Sequence, residues 1–318
     1  MSGSGPGMVA GTVLITDCDH PTVDVERAIL EAAGLTVELA TCRRPDEVIA
    51  AATETGAVGL IVQYAPITGD VLRALPGCRV VGRYGVGLDT IDLATAATLG
   101  IAVVNVPDYC TDEVADHALG LILALTRGIV PLDRGVQRGT WDFRLAGRVR
   151  RPSSQRLGVI GLGRIGTALA RRALALGFEV IATDPRRAPG AEIQVVDLDT
   201  LLATSDVVSI HAPLDSSTYH LIDARALGLM KPTAIVVNTS RGGLIDQDAL
   251  VQALHGGHLA GAGLDVLEHE PVGPDHPLVG SPNVVLTPHA AFYSEESLVE
   301  MKRKVSERVL AVLREVGG

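Results

Sequence analysis

The sequence predicts an α/β fold of two doubly wound parallel-sheet lobes. Two observations carry that expectation. Short apolar strands alternate with helical patterns twice along the chain, and the second series opens on a glycine-rich strand–helix turn. At 318 residues the chain is also longer than one hydrophobic core usually supports, so two domains are expected.

In the first lobe, strands are expected at Thr12–Thr16, Val37–Ala40, Gly59–Val62, Arg79–Tyr84 and Ala102–Val106. Helices are expected at Thr22–Ala33, Pro45–Thr55 and Thr68–Leu75. Pro107-Asp108 interrupts the rhythm. A long apolar helix, Glu113–Arg127, follows, and then a polar linker runs to Leu157. The second lobe resumes with strands at Leu157–Ile160, Glu179–Thr183, Asp206–His211, Ala234–Thr239, Gly261–Val266 and Asn283–Thr287. Its helices are expected at Thr167–Leu176, Leu198–Thr204, Asp223–Leu229 and Asp246–His255. The last helix, Glu295–Val316, has no strand left to serve, so it is expected to return to the first lobe. The lobes then become discontinuous: 9–107 with 293–318, and 108–292.

The turn that opens the second lobe is Gly161-Leu162-Gly163-Arg164-Ile165-Gly166. Gly161 permits the tight turn, Gly163 lets a pyrophosphate approach the backbone, and Gly166 lets the helix pack on the strand. The helix start offers free N–H groups and a partial positive charge. Asp184 ends the next strand, 18 residues beyond Gly166, where an acid is expected to accept ribose hydroxyls. Strand, loop, helix and acid in register predict a Rossmann cofactor domain, with the first lobe a flavodoxin-like substrate domain. A carboxylate at 184 favours NAD over NADP, because it would repel a 2′-phosphate. Arg186 and Arg187 follow at once and could support such a phosphate; the preferred expectation is that they are solvated or flank the adenine.

Composition narrows the class further. Hydrophobic content of 47% supplies packed cores, and an aromatic share of 3% leaves Val, Leu, Ile and Ala to build them. A net charge of −10 argues against electrostatic binding to nucleic acid or a membrane surface. Met1–Met8 lacks a basic start and an apolar core, so it reads as a flexible leader. Cys18, Cys42, Cys78 and Cys110 form no C-x-x-C pair, so reduced thiols and a cytoplasmic setting are expected. Arg144, Arg148, Arg150, Arg151 and Arg156 surround Pro152-Ser153-Ser154 and read as a solvated or subunit-contact loop. His255 and His258 lack a further ligand, so no metal site is expected.

Three strand ends carry chemistry: Asn238-Thr239-Ser240-Arg241-Gly242-Gly243, Asp265-Val266-Leu267-Glu268-His269-Glu270-Pro271, and Thr287-Pro288-His289-Ala290-Ala291. Ligands of open α/β sheets bind beyond the carboxyl ends of strands. Arginine offers a planar fork to a carboxylate or carbonyl. Histidine can pass a proton near neutrality, and a glutamate bonded to it fixes its tautomer. Glu268 is read as an exposed neighbour of Glu270, and His117 and His220 as structural.

These motifs resemble the NAD-dependent D-2-hydroxyacid dehydrogenases over nearly the whole chain. The likeness rests on Gly85–Asp92, the glycine loop, His211-Ala212-Pro213-Leu214, Asn238–Gly243, Gly263–Val266 with Glu270-Pro271, and Thr287–His289. Glu113–Leu119 and His289–Glu295 are most similar to the subgroup containing the C-terminal-binding-protein corepressors, which carry Trp where Phe292 stands. The resemblance implies that Arg241 holds and polarises a 2-oxo acid, His289 is the acid/base and Glu270 supports it. It implies cofactor contacts from Gly161, Gly163, Arg164, Ile165, Gly166, Asp184, His211, Pro213, Thr239, Asp265 and Ala291, with Asp265 on the nicotinamide carboxamide. Backbone amides near Tyr64–Ile67 and at Val86 and Gly87 would cradle the substrate carboxylate, and Arg83 would meet a further anionic or polar group. The expected activity is hydride transfer between NAD(H) and C2 of a small 2-oxo or 2-hydroxy acid by a homodimer, with Glu113–Arg127 as the contact. The alternatives are an NAD(H)-responsive binding protein like the corepressors, or a phosphoglycerate or phosphite dehydrogenase of the same fold.

Overall fold

The computed structural model describes residues 9–186 and 193–317; residues 1–8, read above as a leader, and Arg187 lie outside the described residues. The chain divides into two compact units, residues 9–109 with 294–317, and residues 110–293.

The first unit contains strands β1 (Thr12–Ile15), β2 (Thr36–Leu39), β3 (Ala57–Val62), β4 (Val80–Arg83) and β5 (Ala102–Val104). They form one parallel sheet in the order β2-β1-β3-β4-β5, the flavodoxin-like arrangement. The β3 sequence Ala-Val-Gly-Leu-Ile-Val is apolar throughout because a central parallel strand is covered on both faces. Helices α1 (Asp24–Glu31), α2 (Pro45–Thr55), α3 (Gly69–Ala74) and α4 (Leu93–Leu99) connect them. Helix α4 is additional to the sequence-based expectation, because Leu-Ala-Thr-Ala-Ala-Thr-Leu has little amphipathic contrast. Its ends define it instead: Asp92 accepts the Thr95 amide at 2.9 Å, and Gly100 closes it at φ +69°.

The second unit contains β6 (Arg156–Ile160), β7 (Glu179–Thr183), β8 (Gln194–Val195), β9 (Val207–Ile210), β10 (Ile235–Asn238), β11 (Gly261–Leu264) and β12 (Val284–Leu286). Their parallel order, β12-β11-β10-β9-β6-β7-β8, is the Rossmann order extended by a further strand. Strand direction of travel reverses between β6 and β9, which places the loops after those two strands at the ligand-binding crevice.

This unit also contains α5 (Thr111–Thr126), α6 (Ile129–Gln137), α7 (Arg164–Ala175), α8 (Leu198–Thr204), α9 (Ala224–Leu229) and α10 (Gln247–His255). One expectation is corrected here. The linker holds helix α6, which sequence reading missed because Gly128, Pro131 and Gly135 look like breakers; Pro131 falls in the first turn, where no intrahelical N–H is needed. Five residues of α5, Val114, Ala115, Ala118, Leu121 and Ile122, are buried, and a Cβ at Gly263 of β11 would lie 3.1 Å from Leu121 Cβ; Leu119, Leu123 and Leu125 are half-buried. The arginine segment is tied down at two points. Arg150 Nη1 and Lys231 Nζ reach Asp206 at 3.0 and 3.1 Å, and Arg156 pairs with Glu179 at 2.7 Å.

The chain's last helix, α11 (Glu295–Gly317), falls in the first unit. Gly82 of β4 makes the contact possible, since a Cβ there would sit 2.6 Å from Val309 Cγ2. Among the described residues no single helix is long and apolar enough to cross a membrane.

Candidate active site

The glycine turn after β6 divides its tasks as expected. Gly161 has φ +94°, and a Cβ there would lie 2.6 Å from the His211 carbonyl oxygen. A Cβ on Gly166 would lie 2.0 Å from the Gly161 oxygen, so only glycine lets α7 start this close to the strand. A Cβ on Gly163 would meet nothing within 4 Å, so the backbone there lies open to a phosphate at the α7 N-terminus. A cavity of about 690 Å³ opens here, lined by Leu162, Gly163, Arg164, Thr167, Asp184 and Arg186 among others. Ile165 packs against the core behind it.

Asp184 is 6% exposed, and its oxygens accept the amides of Leu162 at 2.8 Å and Arg186 at 2.9 Å. Arg186 Nε also lies 3.8 Å from Asp184 Oδ1. On the other side of the reversal point, His211 Nε2 lies 2.9 Å from Ser209 Oγ, and burial lowers its pKa to about 4, so the ring is neutral. Its Nδ1 and the buried Thr239 hydroxyl have no hydrogen-bond partner among the described residues. Buried polar atoms left without partners suit a polar ligand, and exposed Pro213 lies two residues beyond His211. The chain fits a dinucleotide here on glycine geometry, cavity and orphaned polar atoms alike.

The second group of residues lies beyond β10, β11 and β12. After β10, Asn238 shapes the turn by accepting the Ser240 amide at 3.0 Å and donating to the Arg241 carbonyl at 2.8 Å. Arg241 Nη1 donates to the Ser240 carbonyl at 2.8 Å. Gly242 is obligatory, because a Cβ would fall 1.9 Å from the Leu267 carbonyl carbon. The Arg241 turn and the Leu267–Glu270 loop therefore pack backbone to backbone.

Glu270 Oε1 accepts the Leu267 amide at 2.8 Å, and Oε2 lies 2.8 Å from His289 Nδ1. With a carboxylate as acceptor, Nδ1 carries the proton, and Nε2 is left to face a ligand. Burial raises the Glu270 pKa, but the hydrogen bond and charge of His289, the Leu267 amide and the Arg241 charge outweigh it and hold the group below its usual value. His289 adopts φ +52°, uncommon for a residue with a side chain. Asp265, 3% exposed, organises the turn that holds it there. Its carbonyl accepts the His289 amide at 2.8 Å, and its carboxylate accepts Thr287 Oγ1 at 2.6 Å and the Ala290 and Ala291 amides at 2.9 Å each. His117 joins this group through Thr287 Oγ1 at 2.9 Å, the structural role expected of it.

Glu268 corrects the sequence reading. It is half-buried, and its Oε1 accepts Tyr219 Oη at 2.7 Å and meets His220 Nε2 at 3.0 Å. This second His–Glu pair anchors the loop that carries Glu270. No local pattern signals it, because partners 48 positions apart meet only through the fold.

In the first unit, the expected substrate cradle is half corrected. The Tyr64 and Ala65 amides donate to Asp17, Pro66 has no N–H, and the Ile67 amide donates to the Thr90 carbonyl at 2.8 Å. The Tyr64–Ile67 amides are thus committed within the protein. Those of Val86 and Gly87 meet no acceptor among the described residues. Arg83 ends β4, half-buried, and its Nη1 donates to the Tyr84 carbonyl.

A sequence profile described as the D-isomer specific 2-hydroxyacid dehydrogenase, NAD binding domain, matches residues 119–291. The chain belongs to that family. It is 43% identical over 263 residues to a glyoxylate reductase of Korarchaeum cryptofilum, covering 78% of this chain and 77% of that one. A D-3-phosphoglycerate dehydrogenase of Archaeoglobus fulgidus is 38% identical over 287 residues, 87% of this chain but 53% of that one. Among solved structures, a D-lactate dehydrogenase from Aquifex aeolicus complexed with NAD and lactic acid superposes with a TM-score of 0.84 at 29% identity, covering 95% and 96% of the two chains.

As a D-2-hydroxyacid dehydrogenase, the protein is an oxidoreductase that uses a nicotinamide dinucleotide. The matched span contains the glycine turn, Asp184, Arg241, Glu270 and His289. Arg83, Val86 and Gly87 lie outside it, in the other unit.

Proposed function

We propose that this dehydrogenase reduces a small 2-oxo acid to the D-2-hydroxy acid with NADH, and runs the reverse reaction with NAD. The observation that carries the reading is the His289 Nδ1–Glu270 Oε2 contact of 2.8 Å, made beside the Arg241 turn. Bound NADH supplies the hydride that reaches C2 of the substrate. Arg241 binds the 2-oxo acid and stabilises negative charge that develops on its carbonyl oxygen. His289 gives that oxygen the proton held at Nε2, while Glu270 keeps Nδ1–H oriented and supports the cationic ring. The Val86 and Gly87 amides receive the substrate carboxylate, and Arg83 reads the substituent at C3.

NAD is assigned over NADP because Asp184, already fixed by two backbone amides, would face a 2′-phosphate charge to charge. A homodimer is assigned on surface character, with the contact moved from α5 to the segment after it. There Trp141 and Phe143 are 90% and 84% exposed, and Ile129 and Val136 about half exposed. The four free cysteines fit a cytoplasmic setting. A cofactor-responsive binding protein would not need Arg241, Glu270 and His289 held in this arrangement.

The test is NADH oxidation against glyoxylate, hydroxypyruvate, phenylpyruvate, phosphonopyruvate and 3-phosphohydroxypyruvate. His289→Ala should lower turnover on the best substrate by roughly 10²- to 10⁴-fold while NADH still binds. Near-normal turnover would remove His289 from the mechanism, and no turnover by the wild type would favour the binding protein.

A further inference from the structure

The sheet of the first unit reverses its direction of travel between β1 and β3, the place where open α/β sheets receive ligands. In this chain that position is filled from within. Asp17 stands two residues beyond β1 and is 0% exposed. Its Oδ1 accepts the Gln63 amide at 3.1 Å, and its Oδ2 accepts the Tyr64 and Ala65 amides at 2.6 and 3.2 Å. Three successive amides beyond β3 converge on one carboxylate, the geometry of a backbone anion nest. Thr16 Oγ1 adds a fourth donor to Oδ1 at 2.8 Å, and Gln63 Oε1 accepts the Asp19 amide at 2.8 Å. Arg43 Nη1, 3.8 Å from Oδ2, is the cation nearest this buried charge among the described residues.

The turn pinned this way is stitched to the segment assigned to substrate recognition. The Tyr84 amide donates to the Val62 carbonyl at 2.9 Å, just before the nest. Just after it, the Ile67 amide donates to Thr90 at 2.8 Å, and the Asp92 amide donates to Ile67 at 2.9 Å. Both ends of the stretch 84–92, which contains Val86 and Gly87, are therefore hydrogen-bonded to the chain on either side of the Asp17 contacts.

We propose that Asp17 is a positioning residue, a built-in anion that holds the nest at 63–65 and through it sets the Val86–Gly87 amides at the spacing a substrate carboxylate needs. This rests on the dehydrogenase reading for its kinetic consequence, but the nest itself can be tested without turnover. The competing view is that Asp17 only stabilises the unit, in which case its loss would not separate substrate binding from the chemical step.

Two variants distinguish these. Asp17→Asn keeps the volume but offers one acceptor oxygen in place of two. It should raise KM for glyoxylate roughly 5- to 100-fold, the range for stranding a buried donor, with kcat and NADH affinity changed by less than about twofold. Asp17→Gly opens a space that matches acetate. Added acetate should raise its Tm and lower its KM for glyoxylate, and should do neither for the wild type or for Asp17→Asn, whose amide still fills the space. An Asp17→Asn protein whose KM is unchanged, or whose kcat falls along with the rise in KM, would overturn the proposal, as would an acetate response shared by the wild type. If Asp17→Gly does not fold, the KM-against-kcat split of Asp17→Asn decides. If the wild type reduces no 2-oxo acid, the dehydrogenase reading fails, and the acetate-dependent Tm of Asp17→Gly still reports whether the nest takes an anion.

Discussion

Replacing Glu270 by glutamine tests the acid–base assignment most directly, because it removes a charge and almost no volume. Glu270 serves two donors with two oxygens, the Leu267 amide at 2.8 Å and His289 Nδ1 at 2.8 Å. Glutamine has one acceptor oxygen, so one of those bonds is lost, and the ring loses its anionic partner whichever way the amide turns. A hydrogen bond to a charged group is worth about 1.5–3 kcal/mol. The side chains of His289 and Glu270 are 29% and 35% exposed, and solvent screening at that exposure brings the figure to about 1–1.5 kcal/mol. At about 1.36 kcal/mol per factor of ten, the loss amounts to roughly 5- to 13-fold.

In the direction of 2-oxo acid reduction, kcat/KM should fall by that factor in Glu270→Gln. Steady-state rates of both proteins with the best substrate measure it, with NADH affinity as the control for an intact fold. An unchanged kcat/KM would refute the pairing as a support of the proton donor. The pH dependence of stability tests the same pair. Because the Glu270 pKa is depressed in the folded protein, its contribution is present above the ordinary value of about 4.3 and is lost as pH falls through the depressed one. Wild type and variant should thus converge in Tm at low pH and separate near neutrality.

The wild type should bind NAD(H) at least about tenfold tighter than NADP(H), a difference of about 1.4 kcal/mol, and Asp184→Ala should narrow the gap; fluorescence titration with both cofactors measures it, and equal wild-type affinities would assign the choice to Arg186 or Arg187. Arg83→Met should cost about 1.5–3 kcal/mol in kcat/KM for a substrate with a second anionic or hydroxyl group, and much less for glyoxylate, which has no side chain to contact. Equal losses for both would place Arg83 on the shared carboxylate or in a purely structural pair. Trp141→Ala with Phe143→Ala should convert a dimer to monomer in light scattering, and an unchanged mass would move the contact elsewhere.

What sequence could and could not show here follows from the range of the interactions. The glycine turn was legible because each glycine answers a constraint set within a few residues or by the adjoining strand, as the 2.0 Å approach of a Gly166 Cβ to the Gly161 oxygen shows. Strands were legible, though not to the residue, wherever burial on both faces demanded a mostly apolar run, as in β3 and β9. Short helices such as α4 were not, since caps and not periodicity define them. Arg241, Glu270 and His289 were singled out because their residue types are chemically telling and each follows a strand end. Glu268 and Asp17 were not, since an aspartate or glutamate in a loop looks the same whether it is solvated or buried on distant donors.

The substrate cradle shows where that limit bites. Sequence supplies an inventory of backbone donors near Tyr64–Ile67, and a loop after a parallel strand is a reasonable place to seek free ones. Every buried N–H must nevertheless have an acceptor, and the protein can supply it as readily as a ligand. Asp17, 46 or more positions earlier in the chain, accepts the amides of Gln63, Tyr64 and Ala65. Deciding between a ligand site and an internally satisfied turn therefore requires knowing which side chain the fold brings to the switch point. The Val86 and Gly87 amides differ because they fall between the anchored ends at Tyr84 and Thr90, where no acceptor among the described residues meets them. In the proposed reading, the recognition segment is drawn from the donors the protein leaves unused, and the carboxylate at position 17 removes the amides of 63–65 from that set.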